Sequence, residues 1–295
     1  MRLHRKERQQ GEDAQDELLV EIRTRHDAAD FAGLEGMSVT GLLLEGQCEG
    51  EGPLVVLLHP VGLDSSFWGP LPAALAASRR VLSLDLAGHG RSPAVSRPRP
   101  IAHYAEDVAA TIHQMAKGPA VVLGLSFGGM VAQELALRHP ELVSALIPCG
   151  CGGDFASEQR PVLRERGLAA ERGGMTAVLE PTLERWFTPE FRGTPPVERV
   201  RARLLSTEVA GWSSGWHAIA DFSATPRLGT VAVPTLVIAG ERDAAAPPSL
   251  AEATIVRAIP GARLAVLPGA PHMMQIECAE AYTAAVAGFL RDGAA

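Results

Sequence analysis

From residue 37 onward, short apolar runs alternate with stretches whose apolar residues recur at helical spacing. Apolar runs of this length predict strands buried on both faces, and their alternation with helices is typical of a mostly parallel sheet covered by helices on both faces. We therefore predict an α/β fold of that kind, whose first two strands form an antiparallel hairpin. The predicted strands include 54–58, 120–123, 142–147, 234–240 and 264–267.

Two stretches depart from this alternation. Residues 1–36 are charged and polar with scattered apolar positions, so we interpret them as an extension that is either a frayed surface helix or disordered. After the run at 142–147, counted as the sixth strand, helical spacing with several breakers replaces the β pattern. We predict a helical cap at 150–225, inserted into one α/β core formed by 37–149 and 226–295.

A candidate nucleophile lies between a predicted strand and a predicted helix. The segment Gly124-Leu125-Ser126-Phe127-Gly128 follows the run at 120–123 and precedes helical spacing at 130–137. In such a G-x-S-x-G turn, the glycines permit a bend tight enough to lift the serine hydroxyl off the sheet edge. We predict that Ser126 is a nucleophile rather than part of an ordinary glycine-rich turn.

A serine nucleophile needs a histidine to take its proton and a carboxylate to orient that histidine. Asp243 follows the strand predicted within 234–243, and His272 follows the strand predicted at 264–267, after Pro268-Gly269-Ala270-Pro271 and at the start of a helical stretch. We predict that Asp243 is the acid and His272 the general base of a catalytic triad with Ser126.

Three other residues compete for these two roles. Asp154 follows the strand at 142–147, and His217 and Asp221 lie within the predicted cap. We favour Asp243 and His272 because each directly follows a predicted core strand.

Acyl transfer also needs backbone N–H donors for the negative charge of the tetrahedral intermediate. The residue after the nucleophile, Phe127, supplies one donor, and we assign the other to Val61 in the loop after the strand at 54–58. Pro60 has no N–H, although its fixed φ stiffens the turn. His59 is predicted to hold neighbouring backbone by hydrogen bonds rather than to take part in chemistry.

The order of nucleophile, acid and base along the chain matches that of α/β-hydrolases, and the chain resembles that superfamily from about residue 37 to the C-terminus. The stretch LSLDLAGHGRS at 82–92 resembles the loop after the family's fourth strand. That resemblance implies structural rather than catalytic roles for Asp85 and Arg91.

Within the superfamily, the chain most resembles 3-oxoadipate enol-lactonases and their relatives. The similar stretches are GGMVAQELA at 128–136, RWFTPEF at 185–191 and HMMQIE at 272–277. The resemblance implies a hydrolase that acts on a lactone.

The predicted cap contains three of the chain's four tryptophans, Trp186, Trp212 and Trp216. Aromatic residues in a helical insert commonly serve packing, but this insert is expected to lie over the sheet edge that presents Ser126. We predict that these tryptophans contact substrate in a largely apolar pocket. A substrate carboxylate would require an unpaired arginine, and the sequence does not distinguish which one.

The net charge of −7, without a basic stripe, disfavours nucleic acid as a partner. No apolar run has membrane-spanning length, and the charged first ten residues are not followed by the apolar core of a secretory signal, so we expect a cytoplasmic protein. The spacing of Cys48, Cys149, Cys151 and Cys278 fits neither a zinc site nor a disulfide framework, which predicts free thiols.

The sequence predicts a serine hydrolase that cleaves a lactone or ester of a small organic acid through an acyl-enzyme, with no cofactor and no metal. A general carboxylesterase and a C–C bond hydrolase use the same apparatus and stay open as alternatives. A non-hydrolytic use of the fold, for ligand binding or other catalysis, is a further alternative. The sequence does not indicate the oligomeric state.

Overall fold

The computed structural model of this chain describes residues 41–116 and 118–292, in which strands and helices alternate along the chain. Short 3-10 segments cover Pro140–Leu142 and Leu228–Thr230, and a π-helical segment covers Glu252–Val256. The strands are β1 (Gly46–Glu49), β2 (Leu54–Leu58), β3 (Arg80–Leu84), β4 (Ala120–Leu125), β5 (Val143–Cys149), β6 (Leu236–Gly240) and β7 (Arg263–Leu267). The helices are α1 (Leu71–Ala76), α2 (Ile101–Met115), α3 (Phe127–Arg138), α4 (Arg160–Trp186), α5 (Pro195–Ser206), α6 (Val209–Asp221), α7 (Pro248–Ala251), α8 (Met274–Glu277) and α9 (Ala279–Arg291).

Within the described residues, these strands form one seven-stranded sheet in the order β1-β3-β2-β4-β5-β6-β7. The strands from β2 to β7 are parallel, and β1 lies antiparallel at the edge. Every residue of β2, β4 and β6 is buried, which explains why these segments are unbroken apolar runs rather than alternating ones. The predicted α/β fold with a mostly parallel sheet is confirmed.

The predicted hairpin is wrong for the strands that the structure describes. β1 pairs antiparallel with β3, Gly46 lying opposite Leu84, and β2 lies parallel to β3 on its other side. β2 has β3 on one edge and β4 on the other, so neither of its edges is available to β1. The four-residue connection between β1 and β2 therefore passes β3 instead of closing a two-stranded turn.

The sheet gathers the predicted site at one edge. Parallel strands end at the same edge of a sheet, and ligands of open α/β sheets bind outside these carboxyl ends. Val61 follows β2, Ser126 follows β4, Asp243 follows β6 and His272 follows β7. Residues far apart in sequence are thereby brought to a common edge.

The chain between β5 and β6 is helical, as predicted, and we call residues 150–225 the helical insert. The helical insert follows β5, the strand predicted at 142–147. This strand is the fifth among the described residues, whereas the sequence analysis counted it as the sixth. The longest helix of the insert, α4, is broken at Gly174, where φ is 70°. The two ends of the insert meet where the N–H of Ala224 donates to the carbonyl of Gly153 at 2.7 Å. The proposed domain boundaries stay predictions, and the predicted extension at 1–36 lies outside the described residues.

None of the helices in 41–116 and 118–292 combines the length and the apolar character needed to cross a membrane. The cytoplasmic location stays a prediction.

Candidate active site

Ser126 has a backbone conformation that is unfavourable for any residue other than glycine. Its φ is 55° and its ψ is −114°, and among the described residues it is the one non-glycine position with positive φ. Its N–H donates to the carbonyl of Cys149 at the end of β5, at 2.8 Å, and its carbonyl accepts from Met130 of α3, at 3.1 Å. Such a conformation costs about 1–3 kcal/mol and persists only where the surroundings enforce it.

The two glycines of the motif are required by close backbone contacts. A Cβ at Gly124 would overlap the carbonyl of Gly128, and a Cβ at Gly128 would overlap the carbonyl of Leu58. Strand β4, the turn and the start of α3 are therefore pressed together and against β2. This close packing holds Ser126 at the turn.

We expect Ser126→Gly to raise the free energy of unfolding by about 1 kcal/mol relative to Ser126→Ala. Glycine tolerates positive φ, so it removes a backbone strain of about 1–3 kcal/mol. Its greater conformational entropy in the unfolded chain offsets about 0.5–1 kcal/mol of this stabilisation. Urea denaturation of the two variants measures the difference. Equal stability of the two variants would contradict a strained turn.

Asp243 and His272 form a buried hydrogen-bonded pair. His272 Nδ1 lies 2.8 Å from Asp243 Oδ2, and the side chains are 3% and 0% exposed, respectively. The other carboxylate oxygen, Oδ1, accepts the N–H groups of Ala245 and Ala246 at 2.8 Å each. A carboxylate at this position requires a proton on Nδ1, so Nε2 of the imidazole is the basic nitrogen.

The end of β5 connects this pair to Ser126. Cys149 accepts the Ser126 N–H, and the next residue, Gly150, has φ 51° and donates its own N–H to Ile238 of β6 at 2.9 Å. A Cβ at Gly150 would lie 3.4 Å from Asp243 Oδ2. The backbone of Ser126 and the carboxylate of Asp243 therefore adjoin two consecutive residues, Cys149 and Gly150.

The three alternative candidates for the acid and the base make contacts away from the Asp243–His272 pair. Asp154 pairs with Arg160 at 2.5 Å and accepts the Ser223 hydroxyl at 2.7 Å. Asp221 pairs with Arg164 at 2.5 Å. The third competitor, His217, lies 3.8 Å from a carboxylate oxygen of Glu171. None of the three contacts Asp243 or His272 among the interactions of the described residues.

Two backbone donors are available for an oxyanion. In the described part of the chain, the N–H groups of Val61 and Phe127 have no acceptor. Phe127 begins α3, where the first N–H groups of a helix lack intrahelical partners. Val61 lies in a tight turn in which Pro60 O accepts the Leu63 N–H at 3.2 Å. The role of both donors stays a prediction, with a geometry that fits it.

His59 holds the Val61 turn in place, as predicted. Its Nε2 accepts the Leu86 N–H at 2.9 Å, so Nδ1 carries the proton and donates to Pro60 O at 2.8 Å. Burial lowers the pKa of His59, which keeps the ring neutral in this tautomer.

Asp85 also has a structural role, because its carboxylate accepts the N–H groups of Ser65 and Arg91 at 2.7 and 2.9 Å.

A second buried histidine, His89, makes stability depend on pH. Burial, reinforced by the neighbouring His59, lowers the pKa of His89 from 6.5 to about 3. Between these values the unfolded chain binds a proton that the folded protein excludes, so stability falls as pH falls from about 6.5 towards 3. We expect His89→Gln to reduce the slope of unfolding free energy against pH by about 1.4 kcal/mol per pH unit near pH 5. Urea titrations at several pH values test this, and an unchanged slope would contradict it.

The three predicted substrate-contacting tryptophans form a buried chain that reaches the histidine. Ring centroids of Trp212 and Trp216 lie 5.6 Å apart, and those of Trp186 and Trp212 lie 6.5 Å apart. The Trp186 ring lies 6.3 Å from that of His272. Trp212 is fully buried and donates Nε1–H to the carbonyl of Arg166 at 3.0 Å, so it also has a packing role. Contact with substrate stays a prediction.

Contacts that sequence reasoning missed connect α6 to the predicted oxyanion donors. The Tyr104 hydroxyl lies 2.8 Å from Ser214 Oγ of α6, and its ring meets the Phe127 ring edge-on at 4.9 Å. A Cβ at Gly215 would lie 2.6 Å from Val61 Cγ2. Small residues on α6 therefore allow the insert to pack close to Val61 and Phe127. This packing joins residues far apart in the chain, so no local sequence pattern predicts it.

All four cysteines are free thiols, as predicted. Burial raises the pKa of Cys149 to about 12, which makes this thiol unreactive. Within the described ranges, no group of three or more His, Cys, Asp and Glu residues is arranged to hold a metal ion.

Comparison with known proteins finds a matching family model and several similar proteins. A family model described as the alpha/beta hydrolase family matches residues 55–286. The 3-oxoadipate enol-lactonase 2 of Acinetobacter baylyi is 28% identical over 193 residues, which cover 65% of this chain and 72% of that protein. The pimeloyl-(acyl-carrier protein) methyl ester esterase of Yersinia enterocolitica is 30% identical over 254 residues, covering 83% and 94%. The solved enol-lactonase from Burkholderia xenovorans LB400 has a TM-score of 0.80 at 33% identity, covering 84% of this chain and 96% of that one.

Proposed function

Because the chain belongs to the alpha/beta hydrolase family and is a hydrolase, we propose that it cleaves a lactone or ester of a small organic acid through an acyl-enzyme on Ser126. The observation that carries this proposal is the strained turn at Ser126, whose φ of 55° is held by close contacts among β4, β2 and α3. A strained position retained in this way indicates a functional demand. The Asp243–His272 pair at the same sheet edge supports it.

In the proposed reaction, Ser126 Oγ attacks the substrate carbonyl carbon while His272 Nε2 takes the hydroxyl proton. The N–H groups of Val61 and Phe127 stabilise the negative oxygen of the tetrahedral intermediate. His272 then returns the proton to the leaving oxygen as the carbon–oxygen bond breaks, which leaves an acyl-enzyme. Water repeats the sequence with His272 as base and releases the acid and the free serine.

The relatives support a carboxylic ester or lactone as the substrate class. One curated relative and one solved neighbour are named as enol-lactonases, and a second curated relative is named as a methyl ester esterase. We favour a lactone because RWFTPEF at 185–191 and HMMQIE at 272–277 resemble the lactonase group. A small-molecule substrate, rather than nucleic acid or a membrane, is part of the proposal.

Hydrolysis of a substrate panel tests the proposal. The panel contains an enol-lactone, saturated lactones, p-nitrophenyl esters and a vinylogous diketone, and each is assayed with the wild type. We expect the highest kcat/KM on a lactone. Exclusive turnover of short esters would point to a carboxylesterase, and turnover of the diketone to a C–C bond hydrolase. No turnover across the panel would contradict the proposed substrate class and would favour either a substrate outside the panel or a non-hydrolytic use of the fold.

A further inference from the structure

The stretches 185–191 and 272–277, which carry part of the resemblance to enol-lactonases, contact each other in the structure. The first contains the end of α4 in the helical insert, and the second begins at the proposed general base, His272. The next residue, Met273, donates its N–H to the carbonyl of Trp186 at 3.1 Å. Because the last carbonyls of a helix lack intrahelical partners, this hydrogen bond satisfies both groups. The backbone that follows His272 is therefore bound to the insert.

A second contact joins the same two stretches through side chains. Glu277, the last residue of α8, accepts the N–H of Thr188 with Oε2 at 3.1 Å and the Thr188 hydroxyl with Oε1. Hydrogen bonds to a carboxylate are about twice as strong as those between neutral groups. Thr188 is buried and Glu277 is half-buried, so water has little access to this contact. We call these two hydrogen bonds, together with that of Met273, the insert tether.

The insert tether restrains a segment that the core holds by fewer contacts. Among the described residues, the core binds α8 through one hydrogen bond, from Gln275 Nε2 to the Phe67 carbonyl at 3.3 Å. The His272 ring is bound to Asp243 through Nδ1. One hydrogen bond at Nδ1 leaves the ring free to swing about that atom, so the position of Nε2 also depends on the backbone that carries the ring. The insert tether fixes that backbone at both ends of the turn after His272.

We propose that Thr188 and Glu277 are positioning residues that set the place of His272 Nε2 between Ser126 Oγ and the leaving oxygen. This inference rests on the proposed function, because it assigns the proton transfer to His272. A displacement of about 1 Å at a reacting group can cost about 100-fold in rate, even when its cause lies away from the chemistry. The end of α4 then contributes to the reaction by holding the general base.

Inactivation by a fluorophosphonate tests the proposal without a known substrate. The reagent forms a bond between Ser126 Oγ and phosphorus and releases fluoride, while His272 takes the hydroxyl proton. Its first-order rate constant at saturating reagent therefore depends on the position of the base. We expect Glu277→Ala to lower this constant about 10-fold to 100-fold, and Thr188→Val, which keeps the N–H contact, to lower it less. The reagent concentration at half saturation should change little, because the proposed role involves no contact with the reagent.

Two further variants separate hydrogen-bond geometry from charge. Glu277→Gln can keep both contacts, since its amide oxygen can accept the Thr188 N–H and its amide nitrogen can donate to the hydroxyl, so it should keep most of the wild-type rate. Glu280→Ala removes an exposed carboxylate at the start of α9 and should leave the rate unchanged. Circular dichroism shows which variants are folded, and Thr188→Val decides the question if Glu277→Ala is not. An equal loss in Glu277→Gln and Glu277→Ala, or wild-type rates in the folded Glu277→Ala and Thr188→Val variants, would overturn the proposal.

Hydrogen–deuterium exchange of the peptide 268–278 distinguishes failure of this inference from failure of the proposed function. We expect faster exchange in Glu277→Ala and Thr188→Val than in wild type, because the insert tether protects the Met273 N–H. If wild type is not labelled but this exchange pattern holds, the insert tether stands and the proposed reaction fails. If wild type is labelled, the inference is wrong when exchange is unchanged in both variants, or when exchange rises while labelling keeps the wild-type rate.

Discussion

Replacing Ser126 with alanine is expected to lower kcat by about 10⁵-fold or more on the panel substrate that wild type hydrolyses fastest. Alanine removes the hydroxyl oxygen that attacks the carbonyl, so no acyl-enzyme forms, although the substrate still binds. KM should therefore change little in comparison with kcat. Steady-state kinetics with purified wild type and variant measure the effect.

Ser157→Ala is the matched control for this substitution. Ser157 is an exposed serine at the start of the helical insert, where its hydroxyl donates to Glu158 at 2.9 Å. Its removal should leave kcat within about twofold, since surface substitutions rarely disturb a distant site. A Ser126→Ala enzyme that keeps a tenth of wild-type kcat would contradict the nucleophile assignment.

Replacing Asp243 with asparagine is expected to lower kcat by about 10⁴-fold. Asparagine preserves size but removes the charge that stabilises the imidazolium, and its amide can favour the tautomer with the proton on Nε2. In that tautomer His272 cannot accept the Ser126 proton. The measurement is kcat near neutral pH, with circular dichroism to confirm that the variant is folded.

Asp154→Asn provides the comparison, because Asp154 is the competing acid after β5. Its carboxylate pairs with Arg160 and accepts from Ser223 at the base of the insert. We expect a modest loss of stability and less than about a tenfold loss of kcat. A larger loss of kcat for Asp154→Asn than for Asp243→Asn would reverse the assignment.

The parts of the molecule that could be predicted are those governed by local sequence. Parallel strands buried on both faces leave unbroken apolar runs, so β2 and β4 were found within two residues of their ends. The turn at Ser126 has its own signal, because a glycine is needed on each side. Asp243 and His272 could be predicted because each directly follows a predicted core strand, and the carboxyl ends of parallel strands lie at the same edge of the sheet.

The parts that could not be predicted depend on contacts between distant segments. β1 pairs with β3 because both edges of β2 are occupied by other strands. The sequence of β1 contains no signal for this choice of partner. The hydrogen bond between Tyr104 and Ser214 joins residues 110 positions apart. The ion pairs of the insert, such as Arg164 with Asp221 and Arg201 with Glu180, could not be predicted either, because they follow from how α4, α5 and α6 pack.

Labelling with a fluorophosphonate requires an activated serine and no knowledge of the substrate, so it is the first measurement to make on Ser126. We expect one adduct per chain in the intact mass, located by peptide analysis on Ser126. Ser126→Ala should stay unlabelled, and Asp243→Asn should label much more slowly than wild type. An unlabelled wild type, or an adduct on another residue that persists in Ser126→Ala, would contradict the proposed nucleophile.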